Sequence, residues 1–231
     1  MAGHIIYEGP SKIDGKPIVV ILIEESKNKK TGNIAQTYIL RSDIPPIEAA
    51  KTGEDRSICG DCMHRPVNNN SCYVTLFHGP RVIYNAYQRG VYNQKQPEAA
   101  GSGYIIRLGS YGDPSAVPTY IWDQLLSKAL GNTGYTHQAF KTSAVQHLCQ
   151  ASADTEEQAK ELQARGWKTF RVKTEDQPLL PKEIMCLNIT LGKSCKDCKV
   201  CDGQTANVAI NVHGAPGKIN KFKHFQLQQV A

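Results

Sequence analysis

Seven of the eight cysteines fall into two tight groups: Cys59, Cys62 and Cys72 (C-x2-C-x9-C), and Cys186, Cys195, Cys198 and Cys201 (C-x8-C-x2-C-x2-C). Thiols held two residues apart on a turn converge on one metal ion or cluster, so the fold must present each group on a compact loop. Four thiolates suffice for a closed tetrahedral zinc site or for an iron–sulfur cubane, and Cys195 to Cys201 has the C-x2-C-x2-C spacing of bacterial ferredoxins. Three thiolates on a four-iron cluster leave one iron free to bind a small molecule. Alternatively His64 or His78 completes a zinc site in the first loop, or Cys186 reaches across as its fourth ligand. Cys149 stands alone and reads as a buried packing thiol.

The chain of 231 residues is 40% apolar, enough for one α/β domain over 1–231, with cysteine loops at 57–75 and 186–203 and a basic tail at 215–231. No apolar run approaches the roughly 18 residues that span a bilayer, and Met1 to Ser11 lacks the apolar block of a secretory signal. The expectation is a soluble protein of a bacterial cytoplasm, without membrane contact, whose cysteines are metal ligands rather than disulfides. Net charge is +6 and the pI about 8.8. Lys218, Lys221 and Lys223, interleaved with Phe222 and Phe225, suit a nucleic-acid contact through the tail.

Glycine, proline and asparagine cut the chain into alternating strands and helices, the pattern of βαβ units. Strands are predicted at Ile18–Ile23, Thr37–Leu40, Tyr104–Leu108, Gly134–Gln138, Val145–Gln150, Lys168–Val172, Glu183–Cys186 and Val208–Val212. Helices are predicted around Val82–Tyr87, stopped by Gly90, and from Pro118 to Gly131. A third is capped by Asp154 and closed by Gly166. About six such repeats make a parallel sheet or partial (βα)6 barrel of TIM-like type the economical architecture, with chemistry collected at the C-terminal strand ends.

Asp113, His137, Asp154, Cys186 and His213 all stand at or just after predicted strand ends. Asp113, His137 and His213 are the candidate catalytic groups lining a pocket for a small-molecule substrate. Each has a plainer reading: Asp113 as a turn residue between Gly112 and Pro114, His137 as a hydrogen-bonded core histidine, Asp154 as a helix cap. Gly214 beside His213 permits close approach of backbone to a ligand. Arg107 and Arg171, on strands with apolar neighbours, hold either a carboxylate-bearing ligand or a partner acid. No Walker loop, dinucleotide fingerprint, HExxH motif or Ser-His-Asp order is present.

Three cysteines in a loop ahead of a glycine-bearing strand end resemble the layout of the radical S-adenosylmethionine enzymes. That resemblance implies a [4Fe-4S] cluster on Cys59, Cys62 and Cys72 whose open iron takes S-adenosylmethionine. It also implies a Gly109-Ser110-Tyr111-Gly112-Asp113 strand end for the amino group, and an auxiliary cluster on the second cysteine group. From about Cys59 onward, Cys59-Gly-Asp-Cys62, Leu108 to Pro114, Gly134 to Gln138, Gly166 to Arg171 and the final cysteines also resemble a family of bacteriophage-encoded proteins without an assigned function. The C-x2-C-x9-C spacing differs from the C-x3-C-x2-C usual in the radical enzymes, and an open iron can equally act as a Lewis acid in a hydrolase or hydratase. The leading expectation is a phage-encoded iron–sulfur enzyme with one or two clusters. The competing ones are a zinc-stapled nucleic-acid-binding protein and an electron-transfer protein whose clusters are fully ligated.

Overall fold

A computed structural model describes residues 2–26 and 28–230. The first half opens with three strands, β1 (Gly3–Pro10), β2 (Pro17–Ile23) and β3 (Ala35–Arg41). Helices α1 (Pro46–Thr52), α2 (Arg56–Cys59) and α3 (Gly79–Gln88) follow, then β4 (Asn93–Gln94), α4 (Pro97–Gly101), β5 (Ile105–Tyr111), α5 (Thr119–Leu126) and β6 (Gly131–Thr133). The second half holds β7 (Tyr135–Thr136), β8 (Gln150–Ala153), α6 (Glu156–Ala164), β9 (Thr169–Lys173) and β10 (Glu183–Met185). It closes with α7 (Leu187–Leu191), α8 (Cys195–Cys198), β11 (Asn207–Asn211) and α9 (Pro216–Val230).

These strands form an α/β fold of two sheets, in the orders β4-β1-β2-β3-β5-β6 and β10-β11-β9-β8-β7. β2 pairs antiparallel with β1 and with β3, and every other pairing is parallel. The antiparallel pairing of β2 with β3 departs from the βαβ pattern of the rest of the chain. It follows from the short connection Glu24–Ile34, which is too brief for a parallel crossover. The β-branched run Ile18–Ile23 is buried along its whole length at the centre of the first sheet.

Gly134 alone separates β6, the edge of one sheet, from β7, the edge of the other. Its N–H donates to the Cys201 carbonyl at 3.0 Å and its carbonyl accepts from the Gln150 N–H at 2.9 Å. A Cβ there would stand 2.6 Å from Cys149 Sγ, so glycine is required by packing. Cys149 is fully buried at that junction, in the packing role the sequence suggests.

Four local expectations change. The helix that follows Pro118 ends at Leu126, and Gly131 opens β6 instead of closing that helix. Val145–Gln150 is not a strand: the Cys149 N–H bonds to the Val145 carbonyl across a turn, and β8 begins only at Gln150. Thr155, not Asp154, caps α6, accepting from the Gln158 N–H through its hydroxyl. The segment 215–231, read as a basic tail, contains α9, which buries Phe222 (2% exposed) and Phe225 (4%) against the core. Those rings are therefore withheld from base stacking. Among the described residues no helix is long and apolar enough to cross a membrane.

Candidate metal centre

A cavity of about 530 Å³ opens at the C-terminal ends of the parallel strands, and all seven clustered cysteines line it. Asp113, His137, Asp154, Cys186 and His213, each following a strand, line it as well. The expected gathering of these residues at one strand end is what the structure displays.

The first cysteine loop is clamped by one ion pair. Arg65 donates from Nε and Nη2 to Asp55 Oδ1 at 3.0 and 2.6 Å, while Nη1 and Nη2 donate to the carbonyls of Gly60 and Gly53. Both partners are buried. Around this clamp, the Cys62 N–H bonds to the Cys59 carbonyl and the Cys72 N–H to the His64 carbonyl, which folds the long x9 segment back on itself.

The second loop leaves β10 at Cys186, whose N–H still pairs with Ala209. Ser194 caps the single turn of α8 by accepting from the Asp197 N–H. The N–H groups of Cys195 and Lys196 donate to the carbonyls of Lys30 and Thr31, on the turn that precedes β3. The second loop, which follows the edge strand β10 of one sheet, therefore meets the turn before β3 of the other.

Burial pushes the Cys59 and Cys72 thiols upward and carries Cys201 to about 12. Such thiols stay protonated in neutral water unless a metal takes the place of the proton. Among the described residues no three thiol sulfurs lie within 4.8 Å of one another. A closed zinc site with Zn–S bonds of about 2.3 Å would hold its sulfurs about 3.8 Å apart.

His64, His137 and Asp154 do converge, their ligand atoms all within 4.8 Å of one another. Asp154 Oδ1 lies 2.8 Å from His64 Nε2, and Oδ2 lies 3.5 Å from His137 Nε2. Burial disfavours charge on Asp154, but the two imidazoles hold its carboxyl far below the usual range. For His137 burial again opposes charge, while Cys62 and Asp154 hold its pKa well above the ordinary value. The Phe222 ring of α9 stacks on His64 at 5.8 Å, and Gln226 Nε2 donates to the Asp154 carbonyl.

The remaining candidates take distinct places. Asp113 is buried and fully used: Oδ1 accepts from the Ser115 N–H and the Thr136 hydroxyl, and Oδ2 from the His137 N–H. It positions the His137 backbone and fulfils the turn role. His213 is exposed on the cavity rim, donating from Nδ1 to the Asn211 carbonyl and lying 6.4 Å from the Tyr73 ring. Gly109 and Gly112 have φ of +63° and +85°. Cβ atoms on them would meet the Gly112 carbonyl at 2.4 Å and Ile39 Cβ at 2.6 Å, so packing already demands both glycines. Arg171 is paired with Glu183 through two hydrogen bonds of 2.9 and 2.7 Å, deep in the protein. Arg107 faces the cavity, bonds to the Tyr73 hydroxyl at 3.0 Å and lies over the Tyr135 ring.

Four cavity-lining residues carry buried polar atoms without a partner: Ser110 Oγ, Tyr111 OH, Thr133 Oγ1 and His137 Nε2. Buried polar groups are ordinarily satisfied, and these four are half of the eight such atoms among the described residues. Residue reading suggests His137 among them, and the family resemblance covers Ser110 and Tyr111, while Thr133 carries no signal in the sequence. Ser110 and Tyr111 lie within the glycine-bearing strand end, but nothing in their spacing distinguishes them from core residues. Comparison with protein-family models, with curated proteins and with solved structures finds no match for this chain.

Proposed function

We propose that the chain is an iron–sulfur enzyme. Cys59, Cys62 and Cys72 would hold a [4Fe-4S] cluster with one iron facing the cavity, and Cys186, Cys195, Cys198 and Cys201 would hold a second, fully ligated cluster. One observation carries this reading: two separate cysteine loops, distant in sequence, present all seven thiols to a single cavity that is also lined by unpartnered polar atoms.

The strand order supports a partial barrel of the radical S-adenosylmethionine kind. With β6 and β7 joined through Gly134, the parallel strands run β3-β5-β6/β7-β8-β9-β11-β10, and the second cysteine loop bonds to the turn before β3. An open iron there would supply either reductive cleavage of bound S-adenosylmethionine or Lewis-acid activation of a carbonyl or water. The protein's own contributions would be orientation by Ser110 and Tyr111, a cation at Arg107 for an acidic ligand group, and water exclusion by α9. Burial of Phe222 and Phe225 weighs against the nucleic-acid-binding alternative.

The decisive experiment is iron, sulfide and zinc analysis with electron paramagnetic resonance on protein purified without oxygen. Iron with acid-labile sulfide is expected, and Cys59→Ala with Cys62→Ala should remove the signal of one cluster while the other remains. Stoichiometric zinc without iron would overturn the proposal.

A further inference from the structure

The His64, His137 and Asp154 group asks for a ligand independently of the thiols. Its hydrogen-bond directions can be followed from the backbone outward. The Ser71 N–H donates to Asn69 Oδ1 at 2.9 Å, which fixes that atom as the acceptor of the amide. The Ser71 hydroxyl donates to the same oxygen. With its proton committed, Ser71 Oγ can only accept from His64 Nδ1, which stands 2.5 Å away. A neutral His64 then carries its proton on Nδ1 and turns a bare Nε2 lone pair toward Asp154 Oδ1 at 2.8 Å. That contact is bridged either by a second proton, which makes an imidazolium–carboxylate pair, or by a metal ion.

On the other carboxylate oxygen, His137 Nε2 lies 3.5 Å away, buried and without a hydrogen-bond partner. The spacing fits a metal ion. Metal–nitrogen and metal–oxygen bonds of about 2.0–2.2 Å place neighbouring ligand atoms about 3.0 Å apart at octahedral angles and about 3.4 Å at tetrahedral ones. The two observed separations bracket those values.

The surroundings also match. Ligating histidines commonly donate their second nitrogen to a fixed acceptor, and Ser71, itself anchored by Asn69, supplies one for His64. The backbone of Asp154 is held at both ends: its N–H donates to Gln158 Oε1, and its carbonyl accepts from Gln226. The backbone of His137 is held by Asp113. Phe222 covers one side of the His64 ring, and all three ligand residues line the cavity on the other.

We propose that His64, His137 and Asp154 bind one first-row divalent metal ion, of the zinc or ferrous class, separate from the cysteine groups. Two imidazoles and one carboxylate are the donor set of open, three-ligand sites, which leave a coordination position for water or substrate. Here that position faces the cavity. The assignment does not depend on an iron–sulfur cluster being present.

The test is titration of the purified full chain with Co2+, followed by visible absorption and by metal counting. One tightly bound ion per chain is expected beyond any ion or cluster held by the cysteines, and the d–d bands that Asp154→Asn removes should carry no thiolate-to-cobalt charge transfer. Asp154→Asn and His137→Gln should each abolish that binding. Ser71→Ala should weaken it by roughly 10- to 100-fold, as loss of a supporting hydrogen bond does. Cys59→Ser with Cys62→Ser should leave it intact, which separates this site from the cysteine reading. Pulsed electron paramagnetic resonance of Mn2+ bound to the unaltered protein needs no variant, and should reveal coupling to two imidazole nitrogens. Thiolate charge-transfer bands that disappear together with the bound ion in Asp154→Asn, absent nitrogen coupling, or unchanged affinity in Asp154→Asn would each overturn the proposal, leaving the group as an imidazolium–carboxylate pair.

Discussion

The two cysteine loops face the same cavity but are held by different means. In the first, Asp55, Ser57, Ile58, Gly60, Arg65 and Ser71 are buried, and the Arg65–Asp55 pair fastens the chain from within. In the second, nothing from Ile184 through Val200 is buried, and Leu191 is 69% exposed. That loop rests on backbone hydrogen bonds to the turn before β3, on the Ser194 cap and on the Cys186 and Cys201 ends. A loop with its own buried core can hold its shape before a ligand arrives, whereas one without must draw order from the ligand itself.

If the cysteine loops hold metal as proposed, the largest effect should come from stripping it with a chelator. Amide exchange across 187–200 should rise toward that of an unfolded chain, while 55–72 keeps its protection. Mass-spectrometric hydrogen exchange reads both segments at once, and equal loss in the two would erase the contrast.

Next in size, Arg65→Ala leaves Asp55 buried without its partner and should cost about 3–5 kcal/mol of stability, as breaking a buried pair does. Urea unfolding of the metal-free protein measures it. A cost near zero would mean that metal, not the ion pair, organises the first loop too. Ser194→Ala removes the cap of α8 and should cost about 1 kcal/mol locally. Its signature is faster exchange confined to 195–198, and a shift of the whole unfolding transition would show that the loop is coupled to the core. Smallest of all, Leu191→Ser on the exposed face of α7 should move stability by no more than about 0.5 kcal/mol. A larger loss would reveal packing against that face.

Much of the frame was readable from residue patterns. The run Ile18–Ile23 declared a buried strand, Gly166 ended α6, and the placing of Asp113, His137 and His213 after strands anticipated the shared cavity. The misreadings have physical causes. Val145, Leu148 and Cys149 are spaced three and four apart, which is the spacing of a turn, yet their apolar character suggested a strand. Asp154 and Thr155 are both good caps, and the choice between them was decided by two histidines brought in from other loops. No local pattern carries that information. β1 escaped notice because its residues are mostly half-buried and lack strict alternation. In α9, lysines between the buried phenylalanines concealed an inward-facing stripe: Phe222 and Phe225 sit one helical turn apart, and Gln226 continues the same face.

Helix α9 lies downstream of every cysteine, histidine and aspartate that it helps to enclose. A ribosome delivers the cavity walls first and the cover last. While residues 216–230 are still being made, His64 and Asp154 lack Phe222 and Gln226, and the way in for inorganic ions stands open. The order of synthesis thus sets an interval in which the proposed site is reachable from two sides, and once α9 has packed it is reachable from the cavity alone.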